Sequence, residues 1–564
     1  MIKFRRQLLI MFILVGINLG ISKGSEIPVT VTDPVYGFLR RMETRAMLSA
    51  YNDAVLPLSR SYIAACLQQI QQHEPSLSTL ERKILKEFLA DYRMELTEQR
   101  HPDLDSYQSV AHPFQNWSVF NKRLFAIFDR KPEQEAKHLV VFEEGKNFIW
   151  ADFAALVRSE TKNNATRVVN ADQYFLQGDW ARHFAYAMYA ARYRRSWNPA
   201  FDDKFLEERN TWGMYQPDSL YTYDLNFTAL IYYNTFLKLG LYNQPVLWGY
   251  SQQHNLILSA NPPVFPYIGM QAQIKSIRFS FLHADLLNDS TQFRSAPAAV
   301  RNRSKYLAVQ RVDIPFWRGK LWLGYSGMVV YGDRNKELAY LIPVNFFWIT
   351  GHVQQDRDNS LMAFDCKVKL FPNATLYGTI LFDELRFSEL GRHWWANKYG
   401  LQGGVRWATN LFTLPINLNC EFTAVRPWVY THKTLTTNYT NNSFCLGFPY
   451  GANAQVFFIE GNAYLTSRLN FALSYSHIRQ GCDENGTYYG GDVTINYEQR
   501  DHLYDHATKW LMGPIRTTRR IYGRLDYELF NDSHLTSELM IIDSSFKHKR
   551  TCDTFLTLGL QIDI

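Results

Sequence analysis

Two short stretches in the C-terminal half place aromatic rings beside arginine. One is Arg392-His393-Trp394-Trp395. The other is Arg426-Pro427-Trp428-Val429-Tyr430-Thr431-His432, with Tyr439 and Tyr450 further along. An aromatic face takes the apolar side of a pyranose ring, and a guanidinium takes hydroxyl or carboxylate groups through its planar fork. Arg392, Trp394, Trp395, Arg426, Trp428, Tyr430, His432 and Tyr450 are therefore candidates for contact with polysaccharide. The same composition also serves an interfacial aromatic girdle, or loops packed together across a barrel mouth.

Signatures of catalysis are missing. The chain has no GxSxG elbow, HExxH, P-loop or CxxC. The acidic pairs Asp383-Glu384 and Glu207-Glu208 are adjacent, and neighbouring strand residues face opposite ways. They read as lumen or rim charge. His101, His112, His393 and His432 show no ligand spacing. The expectation is a non-enzymatic protein with no catalytic residue, metal or cofactor. A lipase or deacylase would need a nucleophile and base clustered at the rim. The cysteines are Cys66, Cys366, Cys420, Cys445, Cys482 and Cys552. Cys366 and Cys420 fall in an apolar register and read as small hydrophobes. Cys445 and Cys482 fall in loops on one side of the topology below. In an oxidising compartment they form a candidate disulfide.

The elements that must position these clusters are strands. In Ile416–Ala424 apolar and polar residues alternate strictly, and alternation resumes at Val456 and over Leu469–Tyr475. A period of two gives one apolar and one polar face. Lys367 and Lys369 oppose Val368 and Leu370. Arg524, Asp526 and Glu528 oppose Gly523, Leu525, Tyr527 and Leu529. Charge on one face of so many strands, with apolar and aromatic residues opposite, suits a water-filled or plugged lumen. Aromatic content of 15% combined with a mean hydropathy of -0.28 fits the same architecture. Short turns near 315–319, 371–373, 411–415, 466–468 and 531–533 alternate with long loops near 287–304, 332–358, 386–398, 427–454 and 481–518. Outer-membrane barrels pair short periplasmic turns with long extracellular loops in this way. The expected fold class is an all-β transmembrane barrel over 146–564, of 16–18 antiparallel strands with 18 preferred. Ile416, Leu418, Cys420, Phe422 and Ala424 should face lipid, and Asn417, Asn419, Glu421 and Thr423 the lumen.

The N-terminus has a different character. Lys3, Arg5 and Arg6 precede the apolar run Leu8–Ile21, with Gly20, Ser22 and Gly24 as small residues for cleavage. Residues 1–24 read as a secretory signal peptide. Over 25–100 the spacing predicts a small three-helix bundle. Asp33-Pro34 opens the first helix, Ser59 and Ser61 precede the second, and the capping box Ser78-Thr79-Leu80-Glu81 opens the third. The bundle is expected in the periplasm, either docking a periplasmic partner or closing the barrel as a cap or plug. Residues 101–145 read as a linker and candidate plug. A formal charge of +7 is a weak bias that a solvated surface explains, and nucleic acid is not expected as a partner.

Several stretches together resemble the Wzi-type capsule-assembly family of bacterial outer-membrane proteins, in the divergent form common in Bacteroidota. They are Val35-Tyr36 with Phe38-Leu39, Leu58-Ser59-Arg60, Trp248-Gly249 with Asn255–Ser259, and Pro262–Pro266. Lys305–Ala308, Trp317–Leu321, Gly332 through Glu337–Leu341 to Pro343, and Asp358-Asn359 follow. The most distinctive is Arg426–His432, leading through Asn438-Tyr439-Thr440 and Leu446-Gly447 to Gly451–Ala454. The resemblance covers nearly the whole mature chain. It implies an 18-stranded barrel with a small periplasmic helical bundle and a lectin-like role in attaching or organising capsular polysaccharide or exopolysaccharide. It carries no catalytic motif. The leading expectation is thus an outer-membrane barrel, in contact with lipid, that binds surface polysaccharide and assists its assembly or attachment. The rival expectation is a channel for sugar or another solute.

Overall fold

The structure, a computed structural model, describes residues 24–97, 138–144, 147–196, 198–201, 213–216, 220–288, 304–530 and 533–563. The expected signal peptide, apart from Gly24, and most of the expected linker lie outside these residues.

Eighteen antiparallel strands close into one barrel. In chain order they are β1 (Asn147–Lys162), β2 (Ala165–Trp180), β3 (Phe184–Ser196), β4 (Leu220–Tyr233), β5 (Leu237–Asn243) and β6 (Pro266–Ile274). Next come β7 (Ile277–Asp285), β8 (Lys305–Phe316), β9 (Leu321–Gly332), β10 (Asn359–Phe371), β11 (Ala374–Glu384) and β12 (Lys398–Leu411). The last are β13 (Leu414–Val425), β14 (Ala454–Tyr464), β15 (Leu469–Gly481), β16 (Ile515–Phe530), β17 (Ser533–Phe546) and β18 (Lys549–Asp563). Closure is by β18 on β1, in a register running from Phe555 opposite Lys162 to Asp563 opposite Ala154. Each strand pairs with its sequence neighbours, and the first residues of β1, beyond the reach of β18, pair with Val140–Glu144, so no long edge remains. No described helix is long and apolar enough to cross a membrane.

Alternation assigns the two faces as the sequence predicts. On β13, Phe422 is exposed on the outer wall, whereas Asn419, Glu421 and Thr423 are buried in the lumen. An outward band of exposed side chains, including Val157, Leu241, Ile268, Phe364, Trp407, Leu473 and Leu558, runs round the barrel. That apolar belt is the lipid-facing surface of an outer-membrane barrel.

Two insertions enter the lumen, one from each end. At the short-turn end sit helices α1 (Val35–Thr44), α2 (Arg60–Gln71), α3 (Thr79–Asp91) and the short α4 (Arg93–Thr97). The predicted capping box is formed. The Ser78 side chain accepts from the Glu81 N–H, and the Glu81 carboxylate accepts from the Ser78 N–H. Val35, Phe38, Leu39, Ile63, Leu67, Ile84 and Leu85 bury the common apolar face, and Tyr464 of β14 joins that core. The bundle therefore packs on the barrel. The Arg41 guanidinium donates to the carbonyls of Thr409 and Ile416 at 3.1 and 2.8 Å, and to the Asn417 side chain at 2.9 Å. Deeper in, Lys367 of β10 contacts Glu43 at 2.8 Å and Asp53 at 3.0 Å. Arg406 and Arg40 also reach Asp53. Burial alone would raise the Asp53 carboxyl, but the three cations hold it well below the usual carboxylate range.

From the long-loop end, residues 244–265 descend into the barrel. Leu256, Ile257 and Leu258 are buried among inward residues of the wall such as Val309, Met328, Leu361 and Leu381. His254 meets Glu421 at 3.0 Å, and Gln402 donates to the His254 carbonyl. The two insertions touch. Val55-Leu56 pairs antiparallel with Leu247-Trp248.

Candidate functional site

The two aromatic clusters come together at the long-loop mouth, joined by a third loop. The Trp395 N–H donates to the Asp505 carbonyl at 2.8 Å, and the Trp428 N–H to the Gly490 carbonyl at 2.9 Å. Loops 385–397, 426–453 and 482–514 thus interlock through their backbones. Trp395 and Trp428 are almost fully buried and share a cluster with Trp394, Tyr488 and Tyr497. Trp394 is half-buried and meets Trp395 nearly edge to face at 6.3 Å.

Arginines cover these rings. The Arg500 guanidinium lies 3.6 Å from the centre of the Trp395 ring, and Arg386 lies 4.8 Å from that of Trp394. Such stacking orients a planar cation while leaving its edge free to donate. Arg500 is further fixed by Asp505 at 2.9 Å. Arg426 is buried and donates to the carbonyls of Trp394 and Thr508, so it ties the loops together. A small hollow remains among Trp395, Trp428, Tyr488, Tyr489, Arg500 and Tyr504, floored by Thr508 and Met512. Arg392 is exposed on the same loop as Trp394.

The other sequence candidates lie elsewhere. Tyr430 is fully buried at the lumen cap. Its hydroxyl donates to the Leu256 carbonyl at 2.8 Å, its N–H donates to the Asp383 carboxylate at 2.7 Å, and its ring stacks on Tyr439. His432 is also buried, with Nδ1 2.7 Å from the Thr437 hydroxyl. Tyr450 is half-buried beside His254 and Phe448. Tyr430 and Tyr450 hold loop 426–453 onto the descending loop, whereas His432 bonds to Thr437 and Asn438 of its own loop and meets the Tyr497 ring edge to face at 5.9 Å. The candidate Cys445–Cys482 disulfide is not formed, and both residues are free thiols. Cys445 sits in the apolar lumen core beneath the loops, paired through its backbone with Thr440. Cys482 follows β15 and turns its thiol to the Gln480 carbonyl.

The sequence reading missed Tyr488, Tyr489, Tyr497, Arg500 and Tyr504. Their loop has no periodicity, but it repeats the pairing of aromatic rings with an arginine that singles out the other two. Among the described residues, no group of three or more His, Cys, Asp or Glu side chains is placed to hold a metal ion.

Neither a family model nor a curated protein sequence matches this chain. Solved structures do. Wzi, an outer-membrane protein involved in group 1 capsule assembly in Escherichia coli and described as a carbohydrate-binding β-barrel, aligns over 95% of this chain and 99% of its own. The TM-score is 0.58 and the identity 12%. A BenF-like porin from Pseudomonas fluorescens aligns over 74% of this chain and 99% of its own, with a TM-score of 0.42 and 7% identity. At such identities the likeness is one of architecture, and with Wzi it extends to nearly the whole chain: the fold is a Wzi-like 18-stranded barrel.

Proposed function

We propose that this protein is a non-enzymatic member of the capsule-assembly barrels, which binds surface or capsular polysaccharide at its long-loop mouth and assists its assembly or attachment. In this reading the long loops face the cell exterior and the helical bundle faces the periplasm. The observation that carries the proposal is the combination of a lumen occupied from both ends with a mouth built from tryptophans, tyrosines and arginines. A lumen obstructed by two insertions that meet favours holding a polymer at the mouth over passing a solute through the wall. Trp394 and Arg392 offer the accessible ring and charge. Trp395, Trp428 and Arg426 form the fixed floor behind them, with Arg500 held over Trp395. Tyr430, His432 and Tyr450 serve by keeping the loops in place.

The test is deletion of the gene with staining of surface polysaccharide, together with glycan retention by the purified protein. Reduced surface polysaccharide and retained glycan are expected, with retention weakened in an Arg392→Ala, Trp394→Ala double variant. Unchanged surface polysaccharide and no retained glycan would sink the reading. Planar-bilayer recording separates it from the channel alternative, because the obstructed barrel should conduct little and a solute channel should conduct steadily.

A further inference from the structure

Residues 333–358 leave β9 at Gly332 and re-enter the wall in β10 at Asn359, but they do not rise over the mouth. They fold back along the outside of the barrel. Alternation on β7, β8 and β9 establishes this. Leu282, Val309, Met328 and Val330 point inward and pack with the descending loop. The intervening Phe281, Ala308, Val329 and Tyr331 point outward, yet they too are buried, packed with Tyr340 and Phe347 of this loop. A short helix over Leu338–Leu341 and another over Phe347–Val353 cover that part of the outer wall. Contact is close, since a Cβ on Gly351 would meet the Ser360 hydroxyl at 2.9 Å.

The loop reaches far down the wall. Phe346 stacks on Tyr325 with ring centres 5.8 Å apart. Tyr325 lies seven positions along β9 from Gly332, which is about 23 Å of strand at ~3.3 Å per residue. Tyr325 in turn touches Phe364, a half-exposed ring of the lipid-facing belt. The loop's base is polar and tied together. Arg334 pairs with Asp358 at 2.6 Å, Tyr340 donates to Asp358 at 2.8 Å, and Lys336 pairs with Asp285 at 2.9 Å. Its tip and outward side are apolar and unpartnered: Leu338, Val344 and Val353 are each 78% exposed, and Ile342, Trp348 and Ile349 are also exposed.

We propose that residues 338–353 form an interfacial membrane anchor, whose outward apolar side is embedded in lipid at the boundary between acyl chains and headgroups of the leaflet at the long-loop end. Lipid is the occupant for three reasons. The exposed patch is continuous, through Phe346, Tyr325 and Phe364, with a wall that already faces acyl chains. Its polarity gradient runs from an apolar tip, deep on the wall, to a charged base near the strand ends. A tryptophan lies between them, as at membrane–water interfaces. An exposed apolar patch of this kind, left in water, would drive association.

The test uses the full-length protein in native membranes, with photoreactive benzoylphenylalanine replacing Val344, Ile349 or, in the polar base, Gln355. The same group replacing Phe364 serves as the positive control on the lipid-facing wall. Every variant is first checked for heat-resistant, folded migration on gels. Adducts of lipid mass are expected at Val344 and Ile349, as at Phe364, and none at Gln355. A band of doubled mass from Val344 or Ile349 would assign the patch to a second copy of the chain and overturn the proposal. So would the absence of lipid adducts at both positions when Phe364 gives one.

Discussion

Replacing Arg41 with alanine should release the N-terminal bundle while leaving the barrel folded. Arg41 is 2% exposed and stands where the bundle meets the turn between β12 and β13. Its guanidinium donates to Glu81 within the bundle, to two carbonyls of the wall, and to the side chains of Asn410 and Asn417. Removing one partner of a buried ion pair costs about 3–5 kcal/mol, because the remaining polar groups lose their compensation. Here Glu81 keeps Arg45, and the orphaned groups sit near the short-turn rim, where water can replace the lost donor. The lower end, about 3 kcal/mol, is therefore the expected cost. It falls on docking of the bundle and not on the barrel ladders, so the undocked population should rise roughly a hundredfold. Limited proteolysis in detergent micelles reads that population when opening is fast relative to cleavage. Cleavage within residues 24–97 should accelerate by about that factor, while the barrel fragment keeps its heat-resistant mobility. Arg41→Lys keeps the charge but loses the planar fork and should fall between the two. Wild-type cleavage rates in Arg41→Ala, with the barrel intact, would refute the claim that this residue fastens the bundle to the wall.

Three further outcomes follow from the loops. Burial, with Lys398 and Lys433 nearby, pushes the His432 imidazole from 6.5 down to about 3. A lowered histidine contributes stability that is complete above the unfolded value and drains away as pH falls from about 6.5 toward 3, with a slope of up to about 1.4 kcal/mol per pH unit. Hydrogen exchange of loop 426–453 should accelerate over that window in the wild type and much less in His432→Gln. Gly490 has a positive φ of 76°, and a Cβ there would sit 2.6 Å from the Trp428 ring. Gly490→Ala should therefore cost about 1–3 kcal/mol of local stability, visible as a change in tryptophan emission. Under non-reducing conditions Cys445 and Cys482 should be recovered as free thiols. Maleimide should reach the exposed Cys552 and the half-buried Cys482 in the folded protein, and Cys445 only after unfolding.

What the sequence revealed divides by the range of the signal. Period-two alternation is local, so the wall, its two faces and a range of 16–18 strands could be read from stretches such as Ile416–Ala424. The capping box at Ser78–Glu81 is equally local, and it formed as read. The path of residues 244–265 could not be read, because nothing in Trp248–Pro266 says which surface it meets. Only the closed barrel turns Leu256–Leu258 inward onto β8–β11. The same holds for residues 333–358, whose apolar residues read as a long loop until the outward cluster on Tyr331 and Val329 gives them a wall to lie on. Within the candidate site, residue type identified the rings and arginines but not their burial. Tyr430 and Trp428 are equally aromatic, yet one fills the lumen cap and the other lines the mouth. The pairing of Cys445 with Cys482 failed for a similar reason. Placing both loops at one end does not fix depth, and Cys445 lies in the apolar core below.

The contact between the two insertions bears most directly on how the barrel works. Val55-Leu56 arrives with the helical bundle, and Leu247-Trp248 arrives with the loop from the opposite mouth. That loop is held in turn by loop 426–453. Ser259 donates to the Gly447 carbonyl at 2.5 Å, Tyr430 to the Leu256 carbonyl, and Asn441 to the Pro263 carbonyl at 2.9 Å. A line of hydrogen bonds, most of them to main-chain groups, therefore runs from the short-turn end, through the lumen, to the loops that carry Trp428. Each such bond in a dry interior is costly to leave unmade, so opening a path for solute would mean breaking several together. A binding function needs the opposite property, a mouth whose rings keep their spacing while a flexible polymer is captured, since the ordering cost then falls on one partner only. The bundle thus does more than stop the barrel. Through Val55-Leu56 it props the loop that the mouth rests on, so, on the proposed function, loosening it at Arg41 should weaken glycan retention even though no residue of the bundle reaches the mouth.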